Sequence, residues 1–264
     1  MFRNTTFAAT AVIVCLCSFQ NSDAKEKPVT KFPAEVSWGR MEATAVLLKL
    51  TVTKLPENRT ISIPRLNNRM KMLRLSGRNP GASRLTFKPQ ITTWEITFQK
   101  DSPTGATPIV FFHALEKIEL ATNPHIVKQS KDGSVTLPAH HVITHGKLLR
   151  YEPQPHKNTM GYWANADDWA EWHVGISQPT EFEVEVLQGC GKGQGGSTVE
   201  IEIAGSKVEF KIEDTGHFQN FKPRKIGTVR VAKSGEFQLK IRAIKKAKNA
   251  VCDIRQIRLL PVKK

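Results

Sequence analysis

From residue 40 onward the hydrophobic period of this chain is two rather than 3.6, which excludes most folds at once. Leu48, Leu50 and Val52 alternate with Lys49, Thr51 and Thr53; Ile61 and Ile63 flank Ser62; Trp94, Ile96 and Phe98 alternate with Glu95 and Thr97. Successive side chains of an extended strand point to opposite faces, so each run describes a strand with one buried face. Turn-forming clusters separate the runs: LPEN at 55–58, GRNPG at 77–81 and DSPTG at 101–105. Short strands at this spacing predict a small antiparallel sandwich. Residues 116–134 are less regular and close on the turn signal KDG. Alternation then resumes. Phe182, Val184 and Val186 face away from Glu181, Glu183 and Glu185, and Val199, Ile201 and Ile203 alternate with Glu200 and Glu202. Val208, Phe210 and Ile212, then Val229 and Val231, then Phe237, Leu239 and Ile241 repeat the pattern. The expected fold class is all-β: two tandem antiparallel β-sandwiches over 33–118 and 132–264, joined by a linker at 119–131.

The N-terminus has a different logic. Arg3 precedes the apolar run FAATAVIVCLCSF, and Ser22-Asp23-Ala24 follows with small residues where cleavage needs them. This pattern predicts an export signal over residues 1–24, cut near Ala24. The run is shorter than the roughly 20 residues of a spanning helix. The expected protein is therefore secreted or periplasmic, with no membrane span. Two of the four cysteines leave with the signal. Cys190 and Cys252 remain, as a disulfide or as two thiols; their spacing cannot decide.

Charge narrows the partners. The chain carries 39 Lys and Arg against 24 Asp and Glu, a net charge of +15. The signal removes one Arg and one Asp, so the mature chain keeps that value. A basic exported protein attracts polyanions. Sulfated or acidic polysaccharides fit an exported chain better than nucleic acid, with a merely solubilising surface as the alternative.

Few motifs carry catalytic chemistry. The loop LQGCGKGQGGS at 187–197 lacks the G-x-x-x-x-G-K-[ST] spacing, and strands flank it, so it reads as an inter-strand loop rather than a phosphate cradle. Asp167, Asp168 and Glu171 suggest a glycosidase pair, whose carboxyls stand about 5–9 Å apart across a bond, but Asp167 and Asp168 are neighbours on opposite faces and cannot both converge; they read as the end of a loop and the start of a strand. His140, His141, His145 and His156 have no H-E-x-x-H and read as loop histidines. No G-x-S-x-G elbow is present. No metal and no cofactor are expected.

The densest signal is HKNTMGYWANADDWAEW at 156–172, which holds Tyr162, Trp163, Trp169 and Trp172. On a strand, Ala170, Trp172 and Val174 share one face, and Trp169, Glu171 and His173 the other. One tryptophan thus packs inward and the other is at least partly exposed. Flat exposed rings suit the apolar C–H faces of sugars.

GYWANADDWAEW, FEVEVLQGCG, EDTGHFQNF and the terminal AVCDIRQIRLLPV, in that order, resemble the family 6 type carbohydrate-binding modules, a jelly roll of galactose-binding-like type. The resemblance covers about residues 134–262. In that family a tyrosine and a loop tryptophan sandwich one sugar, and an asparagine hydrogen-bonds it. By resemblance the tyrosine is Tyr162, the loop aromatic is Phe218 and the asparagine position is Asp253. Phenylalanine stacks less strongly than tryptophan, and an aspartate brings a charge that repels anionic sugars. Trp163, His217 and Asn220 are the neighbours that stand in where the pattern departs. The family's calcium is not carried over, because the first strand reads VTLPAHH.

The first half, VSWGRMEATAVLLKLTVTKLPENRTISIPRLNNRMKMLRLSG, is similar to the small C-terminal β-sandwich of the α-L-fucosidase family. The catalytic barrel of that family precedes this sandwich and needs at least about 200 residues. No such length precedes Trp38. The resemblance therefore implies a non-catalytic polysaccharide- or glycan-binding protein, with the first sandwich as a spacer or a protein-docking surface. Two alternatives stay open: an interaction module with a decayed sugar pocket, and an accessory subunit of a separate glycoside hydrolase.

Overall fold

A computed structural model describes residues 35–76, 85–100, 108–122 and 124–262. The export signal, Cys15, Cys17 and the turn clusters at 77–81 and 101–105 lie outside the described residues. Among the described residues no helix is long and apolar enough to cross a membrane. A 3₁₀ turn stands at Ala139–His141.

Among the described residues, eight strands come from the first half: β1 (Glu35–Val36), β2 (Gly39–Thr44), β3 (Leu47–Val52), β4 (Thr60–Pro64), β5 (Met70–Leu75), β6 (Leu85–Pro89), β7 (Thr93–Phe98) and β8 (Ile109–Ala114). They form a sheet in the order β1-β2-β3-β8-β5 and a smaller sheet β4-β7-β6. The alternation decides which side chains are inside. Leu48, Leu50, Val52, Ile61, Ile63, Trp94, Ile96 and Phe98 are all buried. Strand β8 escaped the sequence pattern because IVFFHA is apolar on both faces. Val110, Phe112 and Ala114 point inward, and the outward ring of Phe111 is covered by the Arg74 guanidinium, 4.3 Å from its centroid. Trp38 closes the first hairpin from within. Its ring is buried and its Nε1 donates to the Ser62 carbonyl at 3.1 Å. Gly39 follows at φ +150°, where a Cβ would stand 2.0 Å from the Thr51 carbonyl oxygen, so no other residue fits.

Twelve strands come from the second half: β9 (Ile126–Lys128), β10 (Val135–Pro138), β11 (Ile143–His145), β12 (Arg150–Glu152), β13 (Thr159–Gly161), β14 (Trp169–Ile176), β15 (Thr180–Cys190), β16 (Thr198–Ile203), β17 (Ser206–Lys211), β18 (His217–Val231), β19 (Gly235–Lys245) and β20 (Asp253–Pro261). One sheet runs β12-β13-β20-β15-β18, with β10 also on β20. The other runs β11-β14-β19-β16-β17, with β9 parallel to β14. This is the jelly-roll sandwich. Ala170, Trp172 and Val174 of β14 lie in its core, and Trp172 Nε1 donates to the Pro138 carbonyl at 2.8 Å. Cys190 and Cys252 are free buried thiols, and burial pushes Cys190 up to about 11.

The segment 119–131 is not a plain linker. Leu120 bridges to Leu66 of the first half, while Ile126–Lys128 extends the second half's sheet. The two sandwiches also share buried contacts. Tyr151 of β12 is fully buried, 6.5 Å from the Trp94 ring, and its hydroxyl donates to the Asn68 carbonyl at 3.2 Å. Arg65 is buried beside it and donates to the Val142 carbonyl at 2.5 Å. Burial lowers the Arg65 guanidinium to about 10.

Tyr151 therefore ties the two halves. Tyr151→Phe keeps the ring and removes the hydroxyl contacts, for a loss of about 1–2 kcal/mol. Tyr151→Ala opens a cavity as well, for about 3–5 kcal/mol. Urea unfolding midpoints of the three chains check both.

Candidate functional site

Four of the six residues singled out by sequence converge on one cavity of about 260 Å³ in the second sandwich: Tyr162, Trp163, Phe218 and Asp253. Each arrives by a different local cause.

Strand β13 ends at Gly161, and the next residue turns sharply. Tyr162 has φ +61°, a left-handed conformation that costs a non-glycine residue about 1 kcal/mol or more. The turn swings its ring outward, 53 % exposed. The Arg150 guanidinium lies 3.6 Å from the ring centroid and covers one face. The ring is thus held from behind and open in front.

Trp163 has the opposite fate. It is 1 % exposed, and its Nε1 donates to the Asp168 carbonyl at 2.9 Å. Its carbonyl accepts from Val251 N–H at 2.8 Å. It reaches the cavity wall as a support, so the expectation that it can substitute as a stacking face is corrected.

Phe218 is the second residue of β18 and is half-buried against the glycine loop. A Cβ on Gly191 would stand 2.6 Å from the Phe218 ring, and one on Gly189 would stand 1.9 Å from its carbonyl oxygen. The glycines at 189 and 191 thus let backbone and ring approach, which is what the glycine-rich loop does here.

Asp253 begins β20 and is buried. Burial first, and the nearby Glu152 charge second, push its carboxyl up to about 8; Lys157, Gln219 and Arg255 pull the other way. A carboxyl raised this far above the ordinary aspartate range holds its proton more readily than an exposed one, and in that form it donates as well as accepts. Glu152, Lys157 and Gln219 complete the polar lining. Lys157 Nζ bonds Glu152 Oε1 at 2.7 Å, and Gln219 Nε2 reaches Asp253 Oδ2 at 3.4 Å. These three were missed in the sequence. Glu152 stands in the fully buried strand RYE, and nothing in its spacing marks it.

His217 and Asn220 do not line the cavity. Both are exposed and serve the turn. His217 Nδ1 accepts from Gln219 N–H at 3.1 Å, and Asn220 Nδ2 donates to the Thr215 carbonyl at 2.5 Å.

The acidic pair at 167–168 has a structural use. Asp168 is fully buried and accepts the backbone N–H groups of Lys147, Leu148 and Leu149 at 2.8, 2.8 and 2.9 Å, and Asn165 Nδ2 at 2.9 Å. Burial by itself raises its carboxyl, but the three N–H groups and the amide outweigh it and hold the group below the ordinary value. Trp169, on the solvent side of β14, stacks on His145 with centroids 3.9 Å apart.

Residues 151–261 match a family described only as a domain of unknown function, DUF5077. No curated protein matches the chain. Among solved structures it is similar to an α-L-fucosidase from Vibrio sp. strain EJY3, at 18 % identity over 87 % of this chain, with a TM-score of 0.35. The chain spans 41 % of that fucosidase. It is also similar to the C-terminal CBM6 of LamC, a marine laminarinase from Zobellia galactanivorans, at 19 % identity over 48 % of this chain and 98 % of that one, with a TM-score of 0.40. A family 35 carbohydrate-binding module from Clostridium thermocellum matches at 13 % identity over 49 % of this chain and 98 % of that one, again at 0.40. Likenesses this distant carry no chemistry, which rests on the cavity itself.

The Asp253 proton has a measurable consequence. An unfolded aspartate titrates near about 3.9. The folded chain keeps its proton to about pH 8. Between those values the folded state binds the extra proton, so stability falls as pH rises, by up to about 1.4 kcal/mol per pH unit, and levels off above. Asp253→Asn removes this slope. Urea midpoints of both chains between pH 4 and 9 check it.

Proposed function

We propose that the chain is an exported, non-catalytic glycan-binding protein whose site is the cavity between Tyr162 and Phe218. The observation that carries this reading is the Tyr162 ring. It is exposed, backed by Arg150, and held in a costly backbone conformation at the mouth of a mainly apolar cavity that holds a few polar groups. Strain of this kind collects where function needs a side chain aimed. A sugar ring lays its C–H face on Tyr162 and turns its hydroxyls to the polar floor. Neutral Asp253 both donates and accepts there, and Gln219 and Lys157 offer further donors.

The reading extends to acidic or sulfated glycans. Net charge is +15, and cationic groups surround the cavity. Arg150 stacks on Tyr162, Lys157 lines the pocket, and Arg255 donates to the Lys157 carbonyl at 2.7 Å. Charge supplies a long-range, salt-sensitive share of affinity, and stacking a short-range share that salt leaves alone. The first sandwich serves as a rigid base, joined through Tyr151.

Affinity electrophoresis against neutral and sulfated polysaccharides, at low and high salt, tests this reading. Tyr162→Ala is expected to weaken glycan binding by at least about tenfold, the worth of one lost stacking contact. Retardation that the variant retains in full overturns the site. Gly191→Ala is expected to displace the Phe218 ring and weaken binding while the circular dichroism spectrum stays unchanged.

A further inference from the structure

The two sandwiches meet at a group of side chains that the glycan site does not use. Glu119 comes from the segment paired with the first sandwich, His125 precedes β9, and His141 closes the 3₁₀ turn after β10. His125 Nδ1 lies 3.1 Å from Glu119 Oε1 and 3.3 Å from Oε2. The His125 and His141 rings stack with centroids 3.6 Å apart. One donor atom from each of the three residues falls within 4.8 Å of the others.

From this geometry we infer a binding site for a divalent transition ion of the zinc class, held by Glu119, His125 and His141 at the junction of the two sandwiches. A tetrahedral zinc ion at about 2.0–2.1 Å from its ligands sets them about 3.4 Å apart. The Glu119–His125 separation already has that scale, and the widest separation closes by a shift of about 1.4 Å at most. Two nitrogens and one carboxylate oxygen select zinc, cobalt or nickel over calcium and magnesium, which take oxygen ligands.

Two further features agree. First, His141 Nδ1 is buried with no hydrogen-bond partner, and a buried ring nitrogen calls for one. Second, Glu119 is itself oriented, because Asn67 Nδ2 donates to Glu119 Oε1 at 3.4 Å and the Asn67 backbone N–H donates to the Glu119 carbonyl at 2.9 Å. Outer partners of this kind fix ligating carboxylates. Arg65 is the opposing charge nearby, and its guanidinium is engaged by the Val142 carbonyl.

Three protein ligands leave a fourth position. His125 and His141 both line a cavity of about 230 Å³, shared with Arg65, Asn67 and Thr144, so that position opens toward water or a small anion. The ion joins the end of the first half, the residue before β9 and the 3₁₀ turn after β10. It fixes the connection at 119–131 against the turn at 139–141, and so sets one sandwich on the other.

Titration of the purified, chelator-treated full chain with cobalt, followed by visible absorbance and then by zinc displacement, tests the site. One equivalent of cobalt is expected, with the intense bands of a low-coordinate ion, displaced by one equivalent of zinc. His125→Ala, His141→Ala and Glu119→Gln are each expected to weaken binding by at least about tenfold. His156→Ala, outside the group, is expected to leave it unchanged. Zinc should raise the thermal midpoint of the parent and not that of Glu119→Gln, which keeps the size and hydrogen-bonding capacity of the side chain. Absence of saturable binding by the parent overturns the inference. So does binding that all three ligand variants retain, or a loss of equal size in His156→Ala.

Discussion

The approach to the Tyr162 cavity depends on one buried carboxylate. Asp168 has no solvent contact, and an ion in that position costs several kcal/mol unless donors surround it. Four donors do. Three are consecutive backbone N–H groups at 147–149 and one is the Asn165 amide. A loop cannot present three consecutive N–H groups to one point unless it curls around it. Gly146 permits the curl, at φ +112° with Asp168 Oδ1 only 2.0 Å from where a Cβ would stand. The carbonyl of the same residue receives Trp163 Nε1, which anchors the residue beside Tyr162. The carboxylate that resembled half of a catalytic pair in sequence is instead the post that the aromatic turn is tied to.

Two side chains on adjacent residues then divide the work. The left-handed turn at Tyr162 sends the two neighbouring rings apart, so that Trp163 goes in and Tyr162 goes out. Tryptophan goes in, where its large apolar surface contributes most and its single N–H finds a carbonyl. Tyrosine goes out, where Arg150 steadies it. The left-handed backbone at Tyr162 is the cost of reversing direction directly after a strand. The fixed neighbour, with its carbonyl bonded to Val251 and its indole to Asp168, maintains it.

Alternation made most of the fold legible. Leu48 to Val52, Trp94 to Phe98, Phe182 to Val186 and Val199 to Ile203 all bury the residues that the pattern points inward. It failed where both faces are apolar, as in β8, and where strands are too short to show a period, as in β9 at 126–128. In the second case the expected linker became part of a sheet. Of the cavity, the aromatic members were visible because of residue type and order. The polar members were not. Glu152 and Gln219 meet Asp253 because the β12–β13 hairpin and β18 join the sheet that holds β20, and Lys157 sits in the turn of that hairpin; single-sequence spacing does not contain such pairing. Glu119, His125 and His141 lie near one another in sequence but follow no ligand spacing, and the fold of the junction brings their side chains together.

Asp253 shows why residue type is an incomplete guide to charge. On paper it is an anion at the position where an asparagine is expected by resemblance, and so a flaw in a site for acidic sugars. In the fold it is enclosed at the head of β20, and Glu152 is near enough to oppose a second negative charge. Two carboxyls in one poorly solvated place do not both ionise readily. Glu152 has Lys157 at 2.7 Å to stabilise its charge, and Asp253 has only a long contact from Gln219 at 3.4 Å. The proton therefore stays on Asp253. A protonated carboxyl presents one O–H and one carbonyl oxygen, close in shape and hydrogen-bonding capacity to an amide. The aspartate thus keeps a group of amide-like shape and hydrogen-bonding capacity at this position, and it adds a dependence on pH that an asparagine lacks.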